Sequence, residues 1–109
     1  DIDKIGKAME ANVMKFHAVM FAADPPLTYM TAGSWKVIEH IWSLREQGIP
    51  CYFTMDAGPN VVALCPRSYM DRIAADMRSA FPQAAVIPAA SGPAPEVIPT
   101  HEWKGLYGK

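Results

Sequence analysis

Two short apolar runs on either side of a turn constrain the fold of this chain more than any other feature. Ile49 to Asp56 is rich in aromatic and β-branched residues, and Val61 to Cys65 is a second apolar run. Ala57 to Asn60 lies between them and contains the turn-forming residues Gly and Pro. The spacing predicts a β-hairpin with Cys51, Phe53 and Met55 on one face and Tyr52, Thr54 and Asp56 on the other.

Helical patterns surround this predicted hairpin. Between Ile2 and Met20 the apolar residues recur in steps of three and four, at positions 2, 5, 9, 13, 16 and 20. The double proline in ADPPLTYM ends that helix. Ser34 is the expected N-cap of a second helix, which has Trp35, Ile38, Ile41 and Trp42 on one face and ends at Gly48.

A third helix is expected after Pro66, with Tyr69, Ile73 and Met77 facing inward, and it stops at Phe81-Pro82. Ala84 to Ile87 is predicted as a third strand, followed by a loop, PAASGPAPE. The order helix, helix, strand, strand, helix, strand predicts an α+β fold, a two-layer sandwich with a small antiparallel sheet packed against helices. Three strands are few for three helices, which suggests a dimer or a piece of a longer protein.

The composition excludes several classes of function. A chain of 109 residues with a net charge of −1 fits one globular domain, and it has no basic block for binding nucleic acid. The longest uncharged stretch, Ser79 to Pro95, is broken by Pro and Gly, so we expect no membrane span. Asp1 and Asp3 do not fit a basic leader peptide. Cys51 and Cys65 fit reduced core thiols, as expected of a cytoplasmic protein.

Asp56 is the strongest candidate for chemistry. It ends an apolar strand beside a turn whose backbone can approach a ligand closely, and a held carboxylate there can orient a substrate hydroxyl or accept its proton. The alternative is a structural role, because Asp commonly starts turns by accepting a hydrogen bond from the backbone two residues on. The residues alone leave both interpretations open.

The remaining polar residues favour structural roles. His17 lies on or beside the apolar stripe, as a hydrogen-bonded core histidine would, and His40 and His101 have no partner at ligand spacing, so no metal site is expected. SGPAP lacks the Lys of a phosphate-binding loop, and Lys15 and Arg67 are single cations. We therefore expect this chain to bind neither a diphosphate nor ATP well by itself.

Several segments resemble one family. YFTMDAGPNV is similar to the signature segment of mevalonate diphosphate decarboxylases, which belong to the GHMP kinase superfamily. KFHAVMFAADPPLTYM resembles the family's helix with an FHA-type motif, a double proline and a Tyr, and LREQGIPCYFTMDAGPNV resembles bacterial members closely. The resemblance is strong from Lys7 to Val62 and weaker on to Ile98. It implies a GHMP-type C-terminal domain over residues 1–98, followed by a tail over residues 99–109.

The resemblance also implies an activity. The family phosphorylates the tertiary 3-hydroxyl of mevalonate diphosphate with ATP, and loss of phosphate and CO2 then gives isopentenyl diphosphate. Asp56 matches the family's catalytic aspartate, and the backbone at Ala57 and Gly58 would border the substrate carboxylate. The family's phosphate loop and basic substrate contacts lie upstream of the matching region. The resemblance thus implies that the complete enzyme uses ATP and Mg²⁺, that this chain alone binds neither, and that its partner is an N-terminal GHMP domain.

Two other functions also fit these residues. A phosphomevalonate decarboxylase or a mevalonate kinase-like enzyme would share these motifs, because the residues that read the phosphates lie outside the matching region. A free-standing α+β module that binds a partner, or forms a homodimer through its open sheet edge, would fit the thin sheet.

Overall fold

The computed structural model describes residues 1–99 and has the predicted α+β composition, with a small antiparallel sheet packed against helices. Its helices are α1 (Ile2–Phe21), α2 (Ala32–Glu46) and α3 (Met70–Ala80), its strands are β1 (Tyr52–Thr54) and β2 (Val62–Leu64), and a 3-10 helix (Arg67–Tyr69) precedes α3. The tail was predicted over residues 99–109, and its residues 100–109, with His101, lie outside the described residues. None of the described helices is long and apolar enough to cross a membrane.

The ends of α2 follow from its capping residues. Thr31 is the N-cap, and it forms a capping box with Ser34, in which each side chain accepts a hydrogen bond from the other residue's backbone N–H at 3.2 Å. The prediction of Ser34 as the N-cap was therefore wrong by three residues, since Thr31 offers the same hydroxyl chemistry one turn earlier. Gly48 follows the helix with φ +80°, a left-handed conformation that favours glycine after a helix C-terminus.

Within residues 1–99 the sheet consists of the predicted hairpin alone. β1 and β2 pair antiparallel, with Phe53 opposite Ala63. The third strand predicted over Ala84–Ile87 was wrong, because this segment forms a turn and irregular chain instead. Pro82 and Pro88 flank it closely, and only Val86 within it packs against the core. The two prolines cannot donate to a ladder themselves, which limits any strand here to the five residues between them.

The hairpin is buried on both faces along β1. Cys51, Phe53 and Met55 are fully buried in the core, as the alternation predicts. Tyr52, from the opposite face, is also buried, because its ring packs directly on Gly6 of α1. A β-carbon on Gly6 would lie 2.1 Å from Cγ of this ring, so only glycine permits such close contact.

The apolar stripe predicted for α1 was only partly correct. Val13 belongs to the core, whereas Ile5 and Phe16 are exposed by 59% and 43%. The helix is rotated so that Gly6, Val13 and His17 are its buried residues. Apolar residues cover more than one face of α1, so periodicity alone did not determine which face packs on β1.

A polar network joins α1, α2 and β1. Arg45 donates to both carboxylate oxygens of Glu10, at 2.8 and 3.0 Å, and also to the carbonyl of Cys51 at 3.0 Å. Glu10 in turn accepts from the backbone N–H of Phe53 at 3.1 Å. The Glu10 hydrogen bonds raise the pKa of Arg45. Arg45 and Glu10 thus provide hydrogen-bond partners for the Cys51 carbonyl and the Phe53 N–H, which lie along β1 and are not paired by β2.

Candidate functional site

The candidate site is the corner that connects β1 to β2, defined here as Met55–Asn60. β1 ends at Thr54, and Met55 behind it is fully buried while Asp56 is exposed. The corner therefore begins with a side chain fixed in the core and turns outward at the next residue. This geometry presents the Asp56 carboxylate to solvent from a rigid base.

The hydrogen bonds of the corner separate the two interpretations of Asp56. Gly58 N–H donates to the backbone carbonyl of Asp56 at 3.0 Å, not to its carboxylate. Among residues 1–99 the Asp56 carboxylate accepts no hydrogen bond and forms no ion pair. The side chain therefore does not cap the turn, and both of its oxygens remain available to a ligand.

The corner is anchored from both long helices. Ser34 of α2 is buried, and its hydroxyl donates to the carbonyl of Pro59 at 2.8 Å. His17 of α1 is fully buried, and its Nε2 lies 3.0 Å from the carbonyl of Met55. These contacts confirm His17 as a hydrogen-bonded core residue. Sequence reasoning missed the Ser34 anchor, because its hydroxyl was assigned to a cap and its partner lies 25 residues away.

A small pocket of about 100 Å³ lies beside Asp56. Its lining combines one face of α1 with the end of β1: Asn12, Val13, Phe16, Thr54, Met55 and Asp56. The pocket pairs an apolar wall, including the exposed Phe16, with the amide, hydroxyl and carboxylate of its polar residues. Its volume has room for a few ligand atoms beside Asp56, not for a whole nucleotide.

Ala57 and Gly58 differ in what they offer a ligand. Gly58 N–H is already donated to Asp56, whereas Ala57 N–H has no hydrogen-bond partner among residues 1–99. A β-carbon built on Gly58 would have no atom within 4 Å, so this side of the corner is open. Ala57 is thus the available donor, and Gly58 leaves space beside it.

The other candidates do not gather near the corner. His40 contacts Asp76, with Nε2 2.5 Å from Oδ2, and its ring meets Phe81 edge to face, so it joins α2 to α3. Lys15 and Arg67 are both exposed. A larger depression of about 370 Å³ beside Trp42 and Arg45 lies toward the opposite end of β1, and its arginine is already paired with Glu10.

Within residues 1–99, no three His, Cys, Asp or Glu side chains come together as a set of metal ligands.

Fold and site together define a class: an α+β domain that presents an unpaired carboxylate on an anchored corner of a small, helix-covered sheet. The sequence of residues 1–102 matches the family model of the mevalonate 5-diphosphate decarboxylase C-terminal domain. This match covers nearly the whole chain, and the chain therefore belongs to that family.

Individual relatives agree with this assignment. The diphosphomevalonate decarboxylase of Candida albicans is 29% identical over 73 residues, which are 67% of this chain and 20% of that protein. The mevalonate pyrophosphate decarboxylase of Streptococcus pyogenes has a similar structure, with a TM-score of 0.78 and 34% identity over 89% of this chain and 30% of its own. A solved complex of MDDEF with MVAPP, AMPPCP and magnesium gives a TM-score of 0.70 and 37% identity over 72% of this chain and 24% of its own. The chain thus spans less than a third of the length of each.

Proposed function

We propose that this chain forms the part of an ATP-dependent diphosphomevalonate decarboxylase that carries the catalytic carboxylate, Asp56. The observation that supports this most strongly is the exposed Asp56 side chain, without a partner among residues 1–99, on a corner held by two helices. A carboxylate that is fixed in position but unoccupied suits a group that must meet a substrate. The names of the relatives favour the diphosphorylated substrate over the monophosphorylated one.

The chemistry requires a carboxylate because the reacting alcohol is tertiary and a poor nucleophile. Asp56 would accept a hydrogen bond from the 3-hydroxyl, hold its oxygen in line with the γ-phosphorus of ATP and take its proton as the new P–O bond forms. ADP leaves as the bond between its oxygen and the γ-phosphorus breaks. The 3-phosphate then departs as inorganic phosphate while the C–C bond to the carboxylate breaks, which releases CO2 and leaves the double bond of isopentenyl diphosphate.

The substrate carboxylate would lie against the backbone of Ala57 and Gly58. We assign the hydrogen-bond donor to Ala57, whose N–H has no partner within residues 1–99, and assign Gly58 the role of leaving open space. An anion bound here would lie beside the Asp56 carboxylate.

We assign the binding of ATP and Mg²⁺ to the complete enzyme, with an N-terminal domain supplying the contacts to the phosphates. Support comes from the short span of this chain relative to its relatives. The MDDEF complex contains AMPPCP, an analogue of ATP, together with magnesium. The unbridged thiols of Cys51 and Cys65 are in keeping with a reducing, cytoplasmic location.

The test is the substitution Asp56→Asn in the complete protein that contains this sequence. Removing the proton acceptor while keeping the shape should lower kcat by about 10²- to 10⁴-fold, with a much smaller effect on KM. Asp24→Asn is the matched control, since Asp24 is also an exposed aspartate but lies after α1. Turnover of Asp56→Asn close to that of Asp24→Asn would reject the catalytic role.

The isolated chain of residues 1–109 should release no CO2 from diphosphomevalonate and ATP. Its corner would present Asp56, but the phosphate contacts that we assign to the N-terminal domain would be missing. Activity of the isolated chain comparable to that of the complete protein would contradict this division of roles.

A further inference from the structure

His17 is unusual among the buried residues because only one of its two ring nitrogens has a hydrogen-bond partner among residues 1–99. The ring is fully buried, and its Nε2 lies 3.0 Å from the carbonyl of Met55. A carbonyl oxygen can only accept, so the proton must reside on Nε2. Nδ1 is then a bare acceptor, buried and without any hydrogen-bond partner among the described residues. A side chain needed only to fill this space would carry no such unsatisfied atom.

The partner of His17 explains what the ring contributes. β1 ends at Thr54, so the carbonyl of Met55 is buried just beyond the last paired residue and needs a donor from elsewhere. That carbonyl belongs to the same planar peptide unit as the backbone nitrogen of Asp56. Fixing the plane of this peptide fixes the N–Cα bond of Asp56, and the hydrogen bond from Gly58 N–H to the Asp56 carbonyl restrains the rotation about that bond that sets the direction of the side chain.

We infer that His17 is a positioning residue for Asp56, acting through the Met55–Asp56 peptide and not through contact with substrate. The inference rests on the proposed catalytic role of Asp56. Gly58 N–H holds the other side of Asp56 through its carbonyl, and Ser34 holds the far end of the corner at Pro59. His17 is the anchor on the strand side, directly before the carboxylate.

Two substitutions in the complete protein test this role. His17→Leu removes the donor and keeps an apolar side chain in the core, and we expect kcat to fall by about 10- to 100-fold with KM changed about twofold at most. His17→Gln retains an N–H donor and should recover most of the lost kcat. Leu44→Ala is the control for general destabilisation, since Leu44 is buried at the opposite end of β1; it should lower Tm but leave kcat within about twofold of the parent.

A measurement that does not depend on activity completes the test. Long-range ¹H–¹⁵N correlation spectra of the complete protein labelled with [¹⁵N]histidine should find the His17 proton on Nε2. A proton on Nδ1 would overturn the inference, and this result can be obtained even if His17→Leu does not fold. Parent-like kcat in folded His17→Leu, or equal losses in the Leu and Gln variants, would also overturn it.

The outcomes of the His17→Leu and Asp56→Asn experiments distinguish a failure of this inference from a failure of the proposed function. If Asp56→Asn is inactive and His17→Leu retains full kcat, then His17 has no positioning role, although Asp56 remains catalytic. If Asp56→Asn retains activity, the proposed function itself fails, and a loss of kcat in His17→Leu would no longer support positioning of a catalytic group.

Discussion

The contact between Gly6 and Tyr52 makes a quantitative prediction about how the hairpin is held on α1. In Gly6→Ala the new β-carbon would lie 2.1, 2.3 and 2.5 Å from three carbons of the Tyr52 ring. Carbon atoms pack best at about 3.5–4.0 Å, so the ring or the helix must move by more than an ångström. The ring cannot move freely, because its hydroxyl donates to Asp3 and the Arg45 guanidinium lies 4.8 Å from its centre.

Two opposing contributions set the change in the free energy of unfolding of Gly6→Ala. Overpacking of a buried site destabilises by about 1–3 kcal/mol, and a backbone that resists displacement brings the value toward the upper end. Replacing Gly by Ala within a helix stabilises by about 1 kcal/mol. We therefore expect Gly6→Ala to lower the free energy of unfolding by about 1–2 kcal/mol.

Gly33→Ala provides the matched control. It is also a glycine-to-alanine change in a helix, but its β-carbon would meet only Thr31 Oγ1, at an ordinary 3.5 Å. It should be neutral or stabilising by up to about 1 kcal/mol. Urea unfolding followed by tryptophan fluorescence measures both variants. Equal stability of the two would refute the close packing of Gly6 on Tyr52.

Two further predictions concern the buried chemistry of the hairpin. Burial raises the pKa of Cys51 to about 12, so a thiol reagent at neutral pH should modify the half-buried Cys65 much faster than Cys51. Peptide mapping after brief labelling measures the two rates, and equal rates would contradict the burial of Cys51. Glu10→Gln should lower the free energy of unfolding by about 1–3 kcal/mol, because the carboxylate that accepts from Arg45 and from the backbone N–H of Phe53 loses its charge. Lys7→Ala is the control, since it breaks only the exposed ion pair with Asp3, which is worth less than about 1 kcal/mol. Equal urea midpoints for these two variants would argue against the network.

The sequence predicted those features that depend on local chemistry. The hairpin, the end of α2 at Gly48 and the inward face of α3 follow from turn residues, a helix-terminal glycine and 3.6-residue periodicity. The third strand failed because four residues with suitable side chains lie between prolines and find no partner among residues 1–99. Strand pairing is decided by distant segments, which a local pattern does not contain.

The candidate site was predictable in part. Asp56 stood out from its place at a strand end, but only the structure revealed that Gly58 N–H donates to the backbone carbonyl of Asp56 and leaves the carboxylate free. The anchors His17 and Ser34 lie 38 and 25 residues from their partners, Met55 and Pro59. Both bonds end on backbone carbonyls, which carry no sequence signal. Such contacts follow from the packing of α1 and α2 around the hairpin.

Asp56 is proposed to meet the reacting hydroxyl of the substrate. The most direct measurement is a crystal structure of the complete protein with diphosphomevalonate and AMPPCP bound. We predict an Asp56 carboxylate oxygen within about 2.6–3.2 Å of the 3-hydroxyl oxygen, with the corner backbone unchanged. A 3-hydroxyl held by another side chain, with the Asp56 carboxylate directed away from it, would contradict the claim.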